Sequence, residues 1–221
     1  MSVRIEGLTA GYGRQPVLRG LDLDVASGEV VVVAGPSGCG KSTLLRAVAG
    51  LLPITAGRVL VDGAEVRGTS RERALVFQDD GLLPWRTALR NVELPLALGG
   101  VGRAERRERA HAWLGRVGLA EFGHYLPREL SGGMRQRVQL ARTLAQSPGL
   151  VLMDEPFGAL DAQTRAAMQE LVVEVLRETG TTTIFVTHDV DEAVRLGDRV
   201  VVLGAGEVAV RRDAILAVLG S

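Results

Sequence analysis

A glycine-rich octapeptide, Gly35-Pro-Ser-Gly-Cys-Gly-Lys41-Ser42, carries the strongest chemical signal in the 221-residue chain. It follows an apolar β-branched run, Val30–Ala34, and opens a helical pattern, Lys41–Ala49. In that setting glycines let backbone N–H groups wrap a β-phosphate, and the start of a helix adds favourable partial charge. Gly35, Pro36, Ser37, Gly38, Cys39 and Gly40 form the cradle, with Thr43 just inside the helix. Lys41 would reach the β- and γ-phosphates, and the Ser42 hydroxyl would ligate Mg2+. Lys41 is the chain's only lysine. A slim ammonium enters between phosphates where a planar guanidinium does not.

A second apolar run, 150–153, ends in two carboxylates, Asp154 and Glu155. Asp154 is placed to hold Mg2+, through water, and Glu155 to orient or deprotonate an attacking water as general base. A helix-capping role stands beside that reading. Two more runs end in polar groups, 74–77 in Gln78 and 183–187 in His188. His188 suits a hydrogen bond to a γ-phosphate, and Gln78 a metal or lytic-water contact. Ligands of an open parallel sheet sit outside the carboxyl ends of its strands. Gly35, Gln78, Asp154 and His188 are therefore expected at one crevice. Cys39 is either a small tolerated loop residue or a thiol that the helix N-terminus activates as a redox switch. His111 and His124 fall away from any strand end and read as structural or exposed.

These residues must be positioned by a repeating frame. Apolar runs at 30–34, 74–77, 150–153, 183–186 and 200–203 alternate with helical patterns at 41–49, 135–145, 161–178 and 191–196. Buried strands alternating with helices predict a largely parallel sheet covered on both faces. Residues 3–29 and 57–66 alternate in hydrophobicity between turns and predict an antiparallel edge lobe. Residues 86–147 contain no strand and predict a helical insertion, broken at Pro95, at Gly99-Gly100-Val101-Gly102 and at Pro127. The expected fold class is α/β: a P-loop NTPase core with a mostly parallel sheet, an antiparallel β edge lobe and a helical subdomain. A single domain spans 1–221, with 1–85 and 148–221 forming the nucleotide-binding core and β lobe. Residues 86–147 form the helical subdomain.

Lys+Arg 26 balances Asp+Glu 26, so no nucleic-acid partner is indicated. The arginine-dense stretch 103–109 is interrupted by Glu105 and Glu108. It reads as a solvated helix face with i,i+3 and i,i+4 pairs, a phosphate-binding patch being the other reading. One cysteine rules out a disulfide within the chain and fits a reducing compartment. Residues 1–6 lack the apolar core of a secretory signal, and no run approaches the roughly 20 apolar residues that span a bilayer. A membrane role needs another polypeptide to make the crossing.

Leu130-Ser-Gly-Gly-Met134-Arg-Gln-Arg137 resembles the signature of ABC-type ATPases, and the resemblance extends over residues 3–211. It implies an ATPase using ATP and Mg2+. By this resemblance Tyr12 matches the aromatic that stacks on adenine, and Gln78 the glutamine-loop residue. Asp161, in Gly158-Ala-Leu-Asp161, matches the dimer-contact loop, and His188 the switch histidine. In such proteins the signature of one subunit covers the ATP held by the other. Ser131, Gly132 and Gly133 precede a long helical pattern, so their N–H groups and the Ser131 hydroxyl form an anion site. Two copies would close a C2 dimer around two nucleotides. Family members usually carry Gln where Met134 stands. Met lacks the amide's hydrogen bonds, but Ser131, Gly132 and Gly133 are intact, so activity is expected to survive.

Residues 77–92 and 155–161 look similar to the nitrate/sulfonate/taurine branch of bacterial importers. That implies an ATP-binding subunit energising uptake of a small solute through a separate integral-membrane permease, fed by a periplasmic or lipoprotein solute-binding protein. The subunit would be a homodimer, or pair with a related ATPase subunit, peripheral on the cytoplasmic face of the bacterial inner membrane. Leu82, Leu83 and Trp85 lie where the family receives a coupling helix from the membrane subunit; packing inside the helical subdomain explains each equally well. The alternative is an ABC-type ATP switch not devoted to import, of the division-linked or lipoprotein-release type. Chromosome-type relatives need long heptads, which the chain lacks. A phosphate-loop kinase or GTPase leaves the Ser131-Gly-Gly signature unexplained. Little sequence follows residue 211, so no C-terminal regulatory domain is expected.

Overall fold

The computed structural model describes residues 1–13 and 15–203; the resemblance read over 204–211 lies outside them. In chain order, β1 (Val3–Tyr12) and β2 (Gln15–Val25) lead to β3 (Val30–Ala34) and α1 (Lys41–Ala49), then β4 (Ile54–Val61), β5 (Ala64–Glu65) and β6 (Arg73–Val76). Helices α2 (Ala88–Leu98), α3 (Arg103–Arg116) and α4 (Gly132–Leu144) follow. Then come β7 (Leu150–Asp154), α5 (Ala162–Thr179), β8 (Thr182–Val186), α6 (Val190–Leu196) and β9 (Arg199–Val202). The chain divides into two compact units: Met1–Leu75 with Gly149–Glu155 and Leu176 onward, and Val76–Pro148 with Pro156–Val175.

The first unit holds the antiparallel sheet β2-β1-β4-β5, the edge lobe that the alternation predicts. Val3, Ile5, Leu8 and Ala10 of β1 are buried. Asp62 (φ 48°) and Gly63 (φ 78°) join β4 to β5 with the left-handed pair that a two-residue type I′ turn demands. The larger sheet has the order β6-β7-β8-β3-β9, with β7, β8, β3 and β9 parallel. β7 and β8 are buried at every position, as their unbroken apolar runs require. Val31, Val33, Leu150, Leu152, Ile184 and Val186 share one core with Leu44, Leu45 and Val48 of α1 and with Ile5 and Leu8 of β1. Each such side chain contributes about 1.5–3 kcal/mol by leaving water. The parallel order sets the carboxyl ends of β7, β8 and β3 side by side.

In the second unit α2, α3 and α4 pack together through Ala88, Val92, Leu96, Ala110, Leu114, Val138 and Ala141. No strand interrupts residues 86–147, as expected. Pro95 corrects the sequence reading, because it lies inside α2 rather than at a break. The ring forgoes one helical N–H donor, yet the Gly99 N–H still donates to the Pro95 carbonyl at 2.9 Å. Val92 and Leu96 on either side are fully buried or nearly so, and their packing carries the helix past the proline. α4 begins at Gly132, earlier than the periodicity from 135 suggests. Ser131 caps it, its Oγ accepting from the Met134 N–H at 3.2 Å. Glycines cost little in a first turn whose N–H groups have no helical partner to lose.

Candidate nucleotide site

β3 delivers the chain into the glycine loop, and α1 carries it away. None of the N–H groups of Gly38, Gly40, Lys41, Ser42 and Thr43 has an acceptor among the described residues. That is the donor array an oxyanion needs. Gly40 caps α1 with φ 107°, and a Cβ there would stand 2.6 Å from Leu18 Cδ2 and 3.1 Å from Val17 Cγ1. The left-handed backbone favours glycine there, while a Cβ would only require the tips of Leu18 and Val17 to give way. Lys41 is buried, its ammonium donating to the carbonyls of Gly35 at 2.7 Å and Pro36 at 3.0 Å. Cys39 is half-buried with a free thiol.

Beside the loop, β7 ends in Asp154. Its carboxyl is buried, and desolvation pushes it above its ordinary value of 3.8. The neighbouring Glu155 charge acts the same way; a hydrogen bond from Ser42 and the charges of Arg46 and Lys41 oppose them and lose. Ser42 and Asp154 thus form a hard-oxygen pair at the mouth of the loop. Among the described residues no group of three His, Cys, Asp or Glu side chains could hold a metal unaided. Two protein oxygens suit a cation that keeps its waters and takes the rest of its shell from phosphate, as Mg2+ does.

Glu155 has φ 47°, a left-handed conformation for a residue with a full side chain. Its N–H donates to the Val186 carbonyl at 3.0 Å, tying the end of β7 to β8. Its carboxylate Oε1 lies 3.0 Å from Nδ1 of His188, two residues past β8. The His188 side chain is 67% exposed, against 21% for Glu155, so the imidazole is open to a ligand while the carboxylate is sheltered. The Asp189 N–H donates to Thr187 Oγ1 at 3.0 Å, which sets the turn carrying His188. Asp189 rather than Asp154 or Glu155 is the helix cap here, accepting from the Glu192 N–H at 3.0 Å.

Tyr12 closes β1 as an exposed residue, and its hydroxyl accepts from Arg46 at 2.5 Å. Arg46 escaped the sequence reading. It stands four residues after Ser42, one turn along α1, and the helical period was the available signal. Gly35, the loop, Asp154, Glu155, His188 and Tyr12 belong to the first unit.

Gln78, Ser131, Gly132, Gly133 and Asp161 belong to the second. Gln78 is exposed, two residues past β6. The N–H groups of Gly132 and Gly133 at the start of α4 have no acceptor among the described residues. A Cβ on Gly133 would meet Leu160 Cδ2 at 3.1 Å and the Ala159 carbonyl at 3.3 Å, so this turn lies close against the segment leading to Asp161. Asp161 caps α5: the Thr164 N–H donates to its Oδ1 at 3.0 Å, and this bond chiefly lowers its carboxyl below the usual value. Further contacts within this unit had no sequence signal, since their partners are far apart in the chain. Arg135 Nε donates to Asp80 Oδ2 at 2.7 Å. Gln139 donates to the Phe77 and Asp79 carbonyls, each at 3.1 Å. Gln136 Oε1 accepts from the Ala159 N–H at 3.0 Å.

A parallel sheet feeding a glycine loop into a helix, with carboxylates at the tip of the next strand but one, defines a P-loop NTPase of the α/β class. Within that class, the family model described as "ABC transporter" matches residues 18–158. The chain is 50% identical over 211 residues to the taurine import ATP-binding protein TauB of Yersinia pestis, covering 95% of this chain and 83% of that one. It is 49% identical over 209 residues to an uncharacterised ABC transporter ATP-binding protein, MJ0412, of Methanocaldococcus jannaschii, covering 93% and 78%. The dimeric post-hydrolysis structure of the ATP-binding cassette MJ0796 bound to ADP and Pi superposes with TM-score 0.84 at 36% identity, covering 93% of this chain and 96% of that chain. The chain belongs to the ABC transporter family and is an ATPase.

Proposed function

We propose that this chain energises import of a small sulfonate-like solute, with taurine as the type substrate. The reading draws on relatives named as taurine import ATP-binding proteins. Two copies, or one with a related ATPase subunit, clamp two ATP molecules and drive a separate membrane permease served by a solute-binding protein. Among the described residues no helix is long and apolar enough to cross a membrane, which fits a subunit held at the cytoplasmic face of the inner membrane by that permease.

The observation that carries the clamp is the pair of unpartnered amide arrays, one at the start of α1 and one at the start of α4. The loop 35–43 takes the phosphates of one ATP, and Lys41 exchanges two carbonyl partners for phosphate oxygens. Tyr12 stacks on the adenine. Ser131, Gly132 and Gly133 of the second copy cap the γ-phosphate, with Asp161 at the subunit contact. Ser42, Asp154 and Gln78 would hold Mg2+, which would neutralise phosphate charge when bound. Glu155 positions and deprotonates water, and His188, oriented by that carboxylate, contacts the γ-phosphate.

Glu155→Gln tests the assignment. It should retain ATP binding and lower turnover by roughly 10²–10⁴, the scale of losing a general base. Near-normal turnover would remove Glu155 from the role. The solute is tested by reconstituting the chain with its co-purifying permease. ATPase stimulation by a taurine-loaded binding protein, and none by the empty protein, is expected.

A further inference from the structure

A cavity of about 310 Å³ opens between α2, α3 and the segment after α3, all within the second unit. Arg103, Arg107 and His111 contribute to its lining from one stripe of α3, each four residues from the next. Arg90 of α2 and His124 join them. Glu93 is the one carboxylate in the lining, so three guanidinium groups face a single acid. Neither Glu93 nor any of those arginines takes part in an ion pair or side-chain hydrogen bond among the described residues. The acid next along α3 is engaged elsewhere, Glu105 pairing with Arg109 at 3.6 Å. A solvated helix face accounts for Arg103 and Arg107 alone. It does not account for Arg90 and two imidazoles brought to the same concavity with so little counter-charge.

We propose that this cavity binds a tetrahedral oxyanion, phosphate, sulfate or sulfonate, either as a free ion or as a lipid headgroup. Guanidinium forks match such oxygens in pairs, and an anion between α2 and α3 relieves the repulsion among like charges spaced by one helical turn. The volume is about ten water molecules' worth, at about 30 Å³ each, enough for the ion with part of its hydration.

The test uses the full chain with ADP saturating the phosphate loop, at constant ionic strength, and follows the histidine ring signals by NMR. Phosphate, sulfate or methanesulfonate should shift His111 and His124 saturably, with half-saturation at about 0.1–5 mM, and leave His188 unmoved. The double variant Arg103→Gln/Arg107→Gln should raise half-saturation at least tenfold. Glu93→Gln should lower it severalfold, an effect of opposite sign that a damaged fold does not produce. Flotation with vesicles containing phosphatidylglycerol, against phosphatidylcholine alone, examines the headgroup source. Vesicle binding that the double variant abolishes, without saturable shifts from the small ions, assigns the headgroup. Shifts that never saturate or that both variants leave unchanged, together with vesicle association indifferent to Arg103 and Arg107, would overturn the site.

Discussion

Glu155 holds a left-handed backbone, φ 47°, that costs a residue with a side chain about 1–2 kcal/mol. Strain of this kind persists where surrounding structure enforces it, and here the Glu155 N–H is fixed to Val186. Glu155→Gly should therefore raise the free energy of unfolding by about 1 kcal/mol in urea titration while abolishing ATP turnover. A less stable variant would show that the conformation is not strained. Gly40 gives the reverse case: Gly40→Ala should lose about 1–2 kcal/mol, chiefly because its φ of 107° strains a residue with a side chain, the Leu18 tip at 2.6 Å turning aside. At this scale the strand, glycine loop and helix were legible because their signal is contiguous: glycines, lysine and serine at fixed spacing between a β-branched run and a helical pattern. Arg46 was not, because its contact with Tyr12 joins residues that only the packing of α1 beside β1 brings together.

Asn91 shows why the second unit was only partly readable. Fully buried, it accepts from the Leu83 N–H at 2.8 Å and donates to the carbonyls of Leu83, Arg86 and Thr87 at 3.0–3.2 Å. One amide thus satisfies a loop that has no regular structure, and nothing in helical periodicity announces it. Strands were easier, since an apolar β-branched run buried on both faces has few other places to go. The Pro95 break failed because proline's penalty is local and the buried face of α2 outweighs it. Arg135 and Asp80 join α4 to the loop after Gln78, with side chains 34% and 30% exposed. A double-mutant cycle with Arg135→Met and Asp80→Asn should give a coupling energy of about 1 kcal/mol, between exposed and buried pairs. Independent effects would mean that the pair is incidental to the loop's position.

Across the first unit, Arg199 reaches both Glu29, with Nε to Oε1 at 2.7 Å, and the Asp24 carbonyl, fastening β9 to the turn before β3. Burial alone would raise the Glu29 carboxyl, but hydrogen bonds from Arg199 and the Ala26 N–H, with the Arg199 charge, hold it below its ordinary 4.5. A depressed folded-state value makes this contribution fully present above pH 4.5 and lost as pH falls through the lower folded value. Arg199→Met should therefore be less stable than the parent by about 1–2 kcal/mol near neutrality, with the gap closing in acid. A gap that widened in acid would reverse the sign of the coupling. The proposed clamp rests on two helix starts with unpartnered N–H groups in one chain, which two copies would bring together around ATP. The direct measurement is the molar mass of Glu155→Gln by light scattering, with and without Mg2+ and ATP. Twice the monomer mass with ATP, reverting to monomer when Ser131→Arg is added, is the expected result. A chain that stays monomeric with ATP bound, alone and beside its permease, would contradict the account.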